Sequence, residues 1–116
     1  MVPKRSRRPA RAPRLSQAKL AILVEEAIVD AYNDIEQATG LFTMIEDHLA
    51  LPFETAILGA SVLVERVEIN DGSAIVAICR RGRERQKIPI LDLPLPSPAP
   101  KGYEWIAAYR FWARGR

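Results

Sequence analysis

The sequence predicts an α+β domain: an N-terminal helical segment of two helices packed on a small antiparallel SH3-like sheet, closed by a short C-terminal helix. Three observations carry this. From Leu20 to Leu49, large apolar residues and alanines recur every three or four positions, the period of a helix with one buried face. After Pro52 the pattern changes to short β-rich runs separated by turn residues. The last stretch, "YEWIAAYRFWARGR", returns to helical spacing.

Ser16 is placed to cap the first helix, with Lys19 at the third position. A single helix from 16 to 50 would be about 52 Å long at ~1.5 Å per residue. A domain of this size has a radius of gyration near ~13 Å, so such a rod would overshoot its own core. The break belongs at "YNDIEQ". There Asn33 suits a left-handed helix end, and Asp34 with Gln37 suits a capping box. The second helix then runs from Ile35 to Leu49 and stops ahead of Pro52.

The strands are expected within "ETAIL", "SVLVERVEI", "AIVAICRR" and "ERQKIPI". Gly59 separates the first two, Asn70-Asp71-Gly72-Ser73 the next pair, and Arg81-Gly82-Arg83 the last. Three close turns imply an antiparallel meander, curled into an SH3-like half-barrel. In "LDLPLPSPAPKG", Pro94, Pro96, Pro98 and Pro100 alternate, which enforces an extended connector poor in hydrogen bonds. The final helix, with Tyr103, Ile106, Ala107, Tyr109, Arg110 and Trp112 at helical intervals, is expected to lay its aromatics on the sheet.

A chain of 116 residues with 48% apolar content supports one core. Its net charge of +3 conceals two unlike parts. Residues 1–14 hold six of the 17 Lys/Arg and no acid; residues 15–116 hold the other 11 against all 14 Asp/Glu, a balance of −3. The basic stretch has three prolines and almost no large apolar side chain, so it cannot offset its ordering entropy and is expected to be a disordered tail. Its Arg-rich, acid-free start resembles a transit peptide without that class's serine content. Residues 15–116 form the domain. Cys79 is alone, which excludes an intrachain disulfide and suits a reducing compartment. No apolar run approaches the ~18 residues of a membrane-spanning helix. A cytoplasmic protein without a membrane span is the expectation.

Catalytic and metal motifs are mostly excluded. One histidine, His48, and one cysteine cannot build the usual structural zinc sites. Ser61 and Ser73 stand in a strand and a turn with no nucleophile elbow around them. Gly72 and Gly82 are isolated turn glycines rather than part of a phosphate-binding loop. Glu46, Asp47 and His48 adjoin, and neighbouring helical residues do not share a face. No catalysis is expected.

Carboxylates remain. Glu26, Asp30 and Asp34 are spaced by four, so one helix face can hold all three; Glu36 follows, and Glu46 and Asp47 lie near the end of the second helix. Like charges at that spacing cost roughly 0.2–0.5 kcal/mol per pair. A hard cation reverses the sign, because calcium takes six to eight oxygens in irregular geometry. The D-x-D-x-D-G loop of an EF-hand is absent.

"IVDAYNDIEQATGLFTMIEDHLALPF", then the meander with "RQKIPILDL", then "YEWIAAYRFW" together resemble the small non-EF-hand calcium-binding proteins first recognised in cyanobacteria, the CcbP-like family. The resemblance runs from Ile28 to Trp112. It implies a helical part set against an SH3-like sheet and calcium binding through surface carboxylates, as a buffer or sensor. The matching acidic positions are Asp30 and Glu36 in the "VDAY…EQ" segment and Glu46 and Asp47 in the "ED" pair, with Asp34 as both cap and neighbouring ligand. Asp30 ranks first. Two departures stand out: "LFTM" follows Gly40 in place of an aromatic-rich run, and "CRRGRER" brings four arginines. With so few carboxylates, a dissociation constant of about 10⁻⁵ M or weaker is expected.

The alternative is a nucleic-acid or protein interaction module. The basic tail and a hairpin cluster of Arg80, Arg81, Arg83, Arg85 and Lys87 would supply the charge. Strand alternation would set Arg81, Arg83 and Arg85 on one face and Arg80 on the other.

Overall fold

The computed structural model describes residues 14–71 and 73–115. The element order is α1 (Gln17–Ile28), α2 (Asp34–His48), β1 (Phe53–Ile57), β2 (Ala60–Ile69), β3 (Ile75–Arg81), β4 (Glu84–Pro89), a 3-10 turn (Ile90–Asp92) and α3 (Tyr103–Arg114). The α+β architecture expected from the sequence is present. The expected tail lies, except for Arg14, outside the described residues.

Ser16 caps α1 as expected, its Oγ accepting from the Lys19 N–H at 3.1 Å. The helix buries Leu23, Val24 and Ala27 and then stops. The left-handed residue that breaks the path is Asp30, at φ 69, and not Asn33. Asn33 is extended and is itself the N-cap of α2: its Oδ1 accepts from the Glu36 N–H at 2.8 Å. Glu36 reaches back past the cap, its Oε1 accepting from the Tyr32 N–H at 2.7 Å. The cap is therefore Asn33, one residue earlier than the expected Asp34, and Glu36 at the third helical position takes the N–H of the residue before the cap rather than that of the cap itself. A short amide at the cap satisfies an orphan N–H without entering the helix, and this frees Asp34 to be the first helical residue.

β1 to β4 form one antiparallel sheet in sequence order. The register slips between Val64 and Arg66, a bulge that bends β2. The sheet stays open, without a pairing between β1 and β4 among the described residues. Its inner face carries Phe53, Val62, Val64, Val67, Ile75, Ala77, Cys79 and Ile88, which join the core with the helices.

The largest fully buried side chains are Leu41, Ile45, Ile75, Ile90, Leu93, Ile106 and Val64, drawn from helices, sheet and connector alike. Burying each contributes roughly 1.5–3 kcal/mol. Two glycines permit the close approaches around them. A Cβ on Gly40 would overlap the Ala27 carbonyl oxygen of α1, and one on Gly102 would overlap that of His48. Gly102 also sits at φ 90, which suits glycine.

α3 differs from expectation. It lies mainly against α1, α2 and the 3-10 turn. Its aromatics reach the other elements by polar handles: Trp112 Nε1 donates to Gln37 Oε1 at 2.8 Å, and the Ile75 N–H points to the Tyr109 hydroxyl at 3.4 Å. Arg110 secures the connector. Its Nε and Nη2 donate to the Ile90 carbonyl at 3.0 and 2.8 Å, and Nη2 also donates to the Leu93 carbonyl. No helix among the described residues is long and apolar enough to cross a membrane.

Candidate metal centre

The break between α1 and α2 brings Asp30, Asp34 and Glu36 into one exposed joint. They do not share a helix face with Glu26, because α1 ends at Ile28. Asp30 sits in the left-handed turn, closed by the Ala31 N–H donating to the Ile28 carbonyl at 2.8 Å. Asp34 lines a cavity of about 310 Å³ with Ser73 of the β2–β3 turn and Tyr109 and Trp112 of α3. One Glu36 oxygen is committed to the Tyr32 N–H. The carbonyls of Asp30, Ala31 and Tyr32 accept no hydrogen bond from the described residues. Those backbone oxygens could not be picked out by residue type, since every residue carries one.

Glu46 and Asp47 are also exposed, but at the other end of α2. Glu46 lies ten helical positions after Glu36, about 15 Å along the axis. Calcium holds its ligands at about 2.3–2.6 Å, so one ion cannot serve both groups. Among the described residues, no three or more His, Cys, Asp or Glu side chains converge to hold a metal. The joint thus offers hard oxygen donors of the kind calcium takes, as an open set completed by water. It is not a preformed cage.

The helix termini rank the two groups differently. Asp34 and Glu36 stand in the first turn of α2, where the partial positive charge of the helix already favours acids. Glu46 and Asp47 stand near its negative end, which favours a cation but supplies only two carboxylates, on diverging faces. Donor number favours the joint.

The hairpin arginines are arranged differently from the expectation. Arg81 pairs with Glu84, so Gly82 and Arg83 form a two-residue turn. Arg80 then stands directly opposite Arg85 on one face, and Arg81 on the other. The expected grouping of Arg81, Arg83 and Arg85 fails because turn residues drop out of the alternation. Glu65 lies between the opposed pair, its carboxylate accepting from Arg80 Nε at 2.6 Å and Arg85 Nε at 2.8 Å. These two guanidinium bonds, Arg85 first, hold the Glu65 carboxyl down from 4.5 to about 2. Lys87 approaches Glu68 at 3.9 Å.

His48 stacks on Trp105 with ring centroids 5.7 Å apart, at the end of α2. Burial raises the Cys79 thiol, so it behaves as a core side chain rather than a nucleophile.

With this geometry in place, the comparisons with known proteins are specific. The sequence profile of the CcbP family, described as calcium binding, matches residues 22–113. The chain belongs to the CcbP calcium-binding family. The crystal structure of Anabaena CcbP superposes with a TM-score of 0.69 at 19% identity, covering 88% of this chain and 94% of that one. At that identity the superposition shows a shared fold. Among curated proteins none matches the chain. The CcbP span contains the α1–α2 joint, the end of α2 and the arginine hairpin, and leaves out Arg14 and everything before it.

Proposed function

We propose that this chain binds calcium reversibly at the α1–α2 joint, as a cytoplasmic buffer or sensor and without catalysis. Asp30 and Glu36 are the leading ligands, Asp34 is their neighbour, and the loop carbonyls between them add oxygens. Glu46 and Asp47 are a separate, weaker point of attraction. The observation that carries the proposal is membership of the CcbP calcium-binding family over a span that includes every one of these acids. The oxygen-rich, solvent-exposed joint supports it. The lone buried Cys79 suits a reducing compartment.

Affinity follows from the arrangement. The carboxylates are exposed, do not converge before the ion arrives, and stand beside the positive end of α2. Ordering them opposes binding, so a dissociation constant of about 10⁻⁵ M or weaker is expected. Calorimetric titration of chelator-stripped protein at roughly 0.1 M salt, where surface attraction is screened, tests this. Saturable calcium heat that magnesium does not displace is the expected result, with Asp30→Asn and Glu36→Gln each weakening it. Heat that is absent, or that both ions produce alike, contradicts it. A change in near-ultraviolet circular dichroism on saturation marks a sensor; an unchanged spectrum marks a buffer.

The nucleic-acid reading gains no support from this face of the molecule. Glu65 engages two of the five hairpin cations, and a third stands near Glu68. The tail that completed that reading lies, but for Arg14, outside the described residues.

A further inference from the structure

A second concave surface lies between the start of α1 and the outer side of α3. It is a groove of about 670 Å³, within the roughly 300–1,000 Å³ range of small-molecule sites. Arg14, Arg110 and Arg114 line it, together with Leu15, Leu20 and Phe111. No carboxylate side chain is among its described lining residues.

Arg110 is the fixed member. Three hydrogen bonds to the Ile90 and Leu93 carbonyls use its Nε and both Nη2 protons, so the guanidinium plane is set by the backbone. Its Nη1 group has no partner among the described residues. Burial and then the charge of Arg114 both press against the protonated form, and the charge of Asp92 offsets them less. Arginine keeps its proton regardless, so the groove carries an excess of positive charge. Arg14 and Arg114 form no ion pair with a described residue. The sequence just before Arg14 adds five more Lys/Arg and no acid.

A cation-lined hollow with an aliphatic and aromatic wall selects a ligand by two features at once. The guanidinium groups suit a carboxylate or phosphate, which they can grip in pairs. The leucines and Phe111 suit a short hydrocarbon or ring, whose transfer from water favours binding. Neither feature alone explains both walls. The basic tail is a poor occupant, because its charge has the same sign as the groove.

We propose that the α1–α3 groove binds a free amphiphilic organic anion, with Arg14, Arg110 and Arg114 holding the charged head and Leu15, Leu20 and Phe111 the apolar body. This is independent of calcium at the α1–α2 joint. Calorimetry on the full chain with hexyl phosphate, hexanoate, inorganic phosphate and hexanol tests it. Hexyl phosphate or hexanoate saturates with one molecule per chain and binds more tightly than inorganic phosphate, while hexanol gives no heat. Arg114→Gln and Arg14→Gln, both exposed positions, each weaken binding about tenfold, the loss of one charge-assisted hydrogen bond. Arg85→Gln on the sheet leaves it unchanged. The proposal is overturned if neither amphiphile saturates at millimolar concentration, or if inorganic phosphate binds as tightly as they do. It is also overturned if binding survives the Arg14→Gln/Arg114→Gln double variant, which would place the anion on the tail. Recruitment to phosphatidylglycerol vesicles without affinity for either short amphiphile would overturn it in favour of a lipid surface.

Discussion

On the outer face of the sheet, Arg80 and Arg85 stand opposite each other and share Glu65; in the α1–α3 groove, Arg110 and Arg114 stand a helical turn apart with no acidic side chain among the described lining residues. The residue type is the same and the electrostatic outcome differs. In the sequence, "CRRGRER" looks like the stronger basic patch. In the fold, a bulge at the register slip offers Glu65 to both strands' arginines, and one carboxylate offsets half of their charge. The groove draws its arginines from segments 96 residues apart in the chain, 14 and 110, so no local run announces it. Local charge density therefore misranks the two regions. What counts is which carboxylate the topology brings within hydrogen-bond reach.

That contrast can be tested by removing one partner at a time. The largest effect is expected at Arg110→Met, which keeps the apolar stem but strands the Leu93 carbonyl and leaves the Ile90 carbonyl only the Leu93 N–H. A destabilisation of about 3 kcal/mol follows, read as a lower denaturant midpoint. If the variant were as stable as the parent, the arginine would not be holding the connector. Next comes Glu65→Gln, which gives the sheet an uncompensated pair like that of the groove. Its melting midpoint should fall by several degrees and recover partly when Arg85→Gln is added. A drop that the second change deepens would mean that Glu65 matters for packing rather than charge.

The acid range separates the regions further. The folded Glu65 carboxyl titrates at about 2 against an ordinary 4.5. Because the folded value is the lower one, its contribution is complete above pH 4.5 and is lost as the pH falls through about 2. Denaturation measured across that interval should lose a stability increment that Glu65→Gln lacks. The groove arginines should add nothing there. The smallest effect belongs to Glu68→Gln. Its bond to Arg66, at 3.1 Å, joins side chains 38% and 57% exposed, so the change should stay within about 0.5 kcal/mol.

The elements that repeat a local rule were legible in the sequence. Ser16 announced α1, the apolar period announced two helices, and Gly59, Asn70 and Gly82 announced three hairpins. Two differences from the sequence reading fall where a single residue or turn decides between two conformations. Asn33 and Asp30 both suit a left-handed turn and both suit a cap. Local propensity cannot assign which takes which role until Glu36 reaches back to Tyr32. The two-residue turn at Gly82 and Arg83 likewise reversed the faces of the hairpin arginines. α3 was assigned to the sheet by its aromatics, but the buried side of a helix does not say what covers it. For the candidate metal centre, the acids could be read by type and spacing. The loop carbonyls beside them could not, since they become available only because the chain breaks there.

The central claim is that calcium is held at the α1–α2 joint. The most direct measurement is a calcium titration followed by amide chemical shifts in a ¹⁵N-labelled full chain. Saturable shifts concentrated between Val29 and Glu36, abolished by Asp30→Asn with Glu36→Gln, are the predicted result. Shifts confined to the neighbourhood of Glu46 and Asp47, or no saturable shift anywhere, would contradict it.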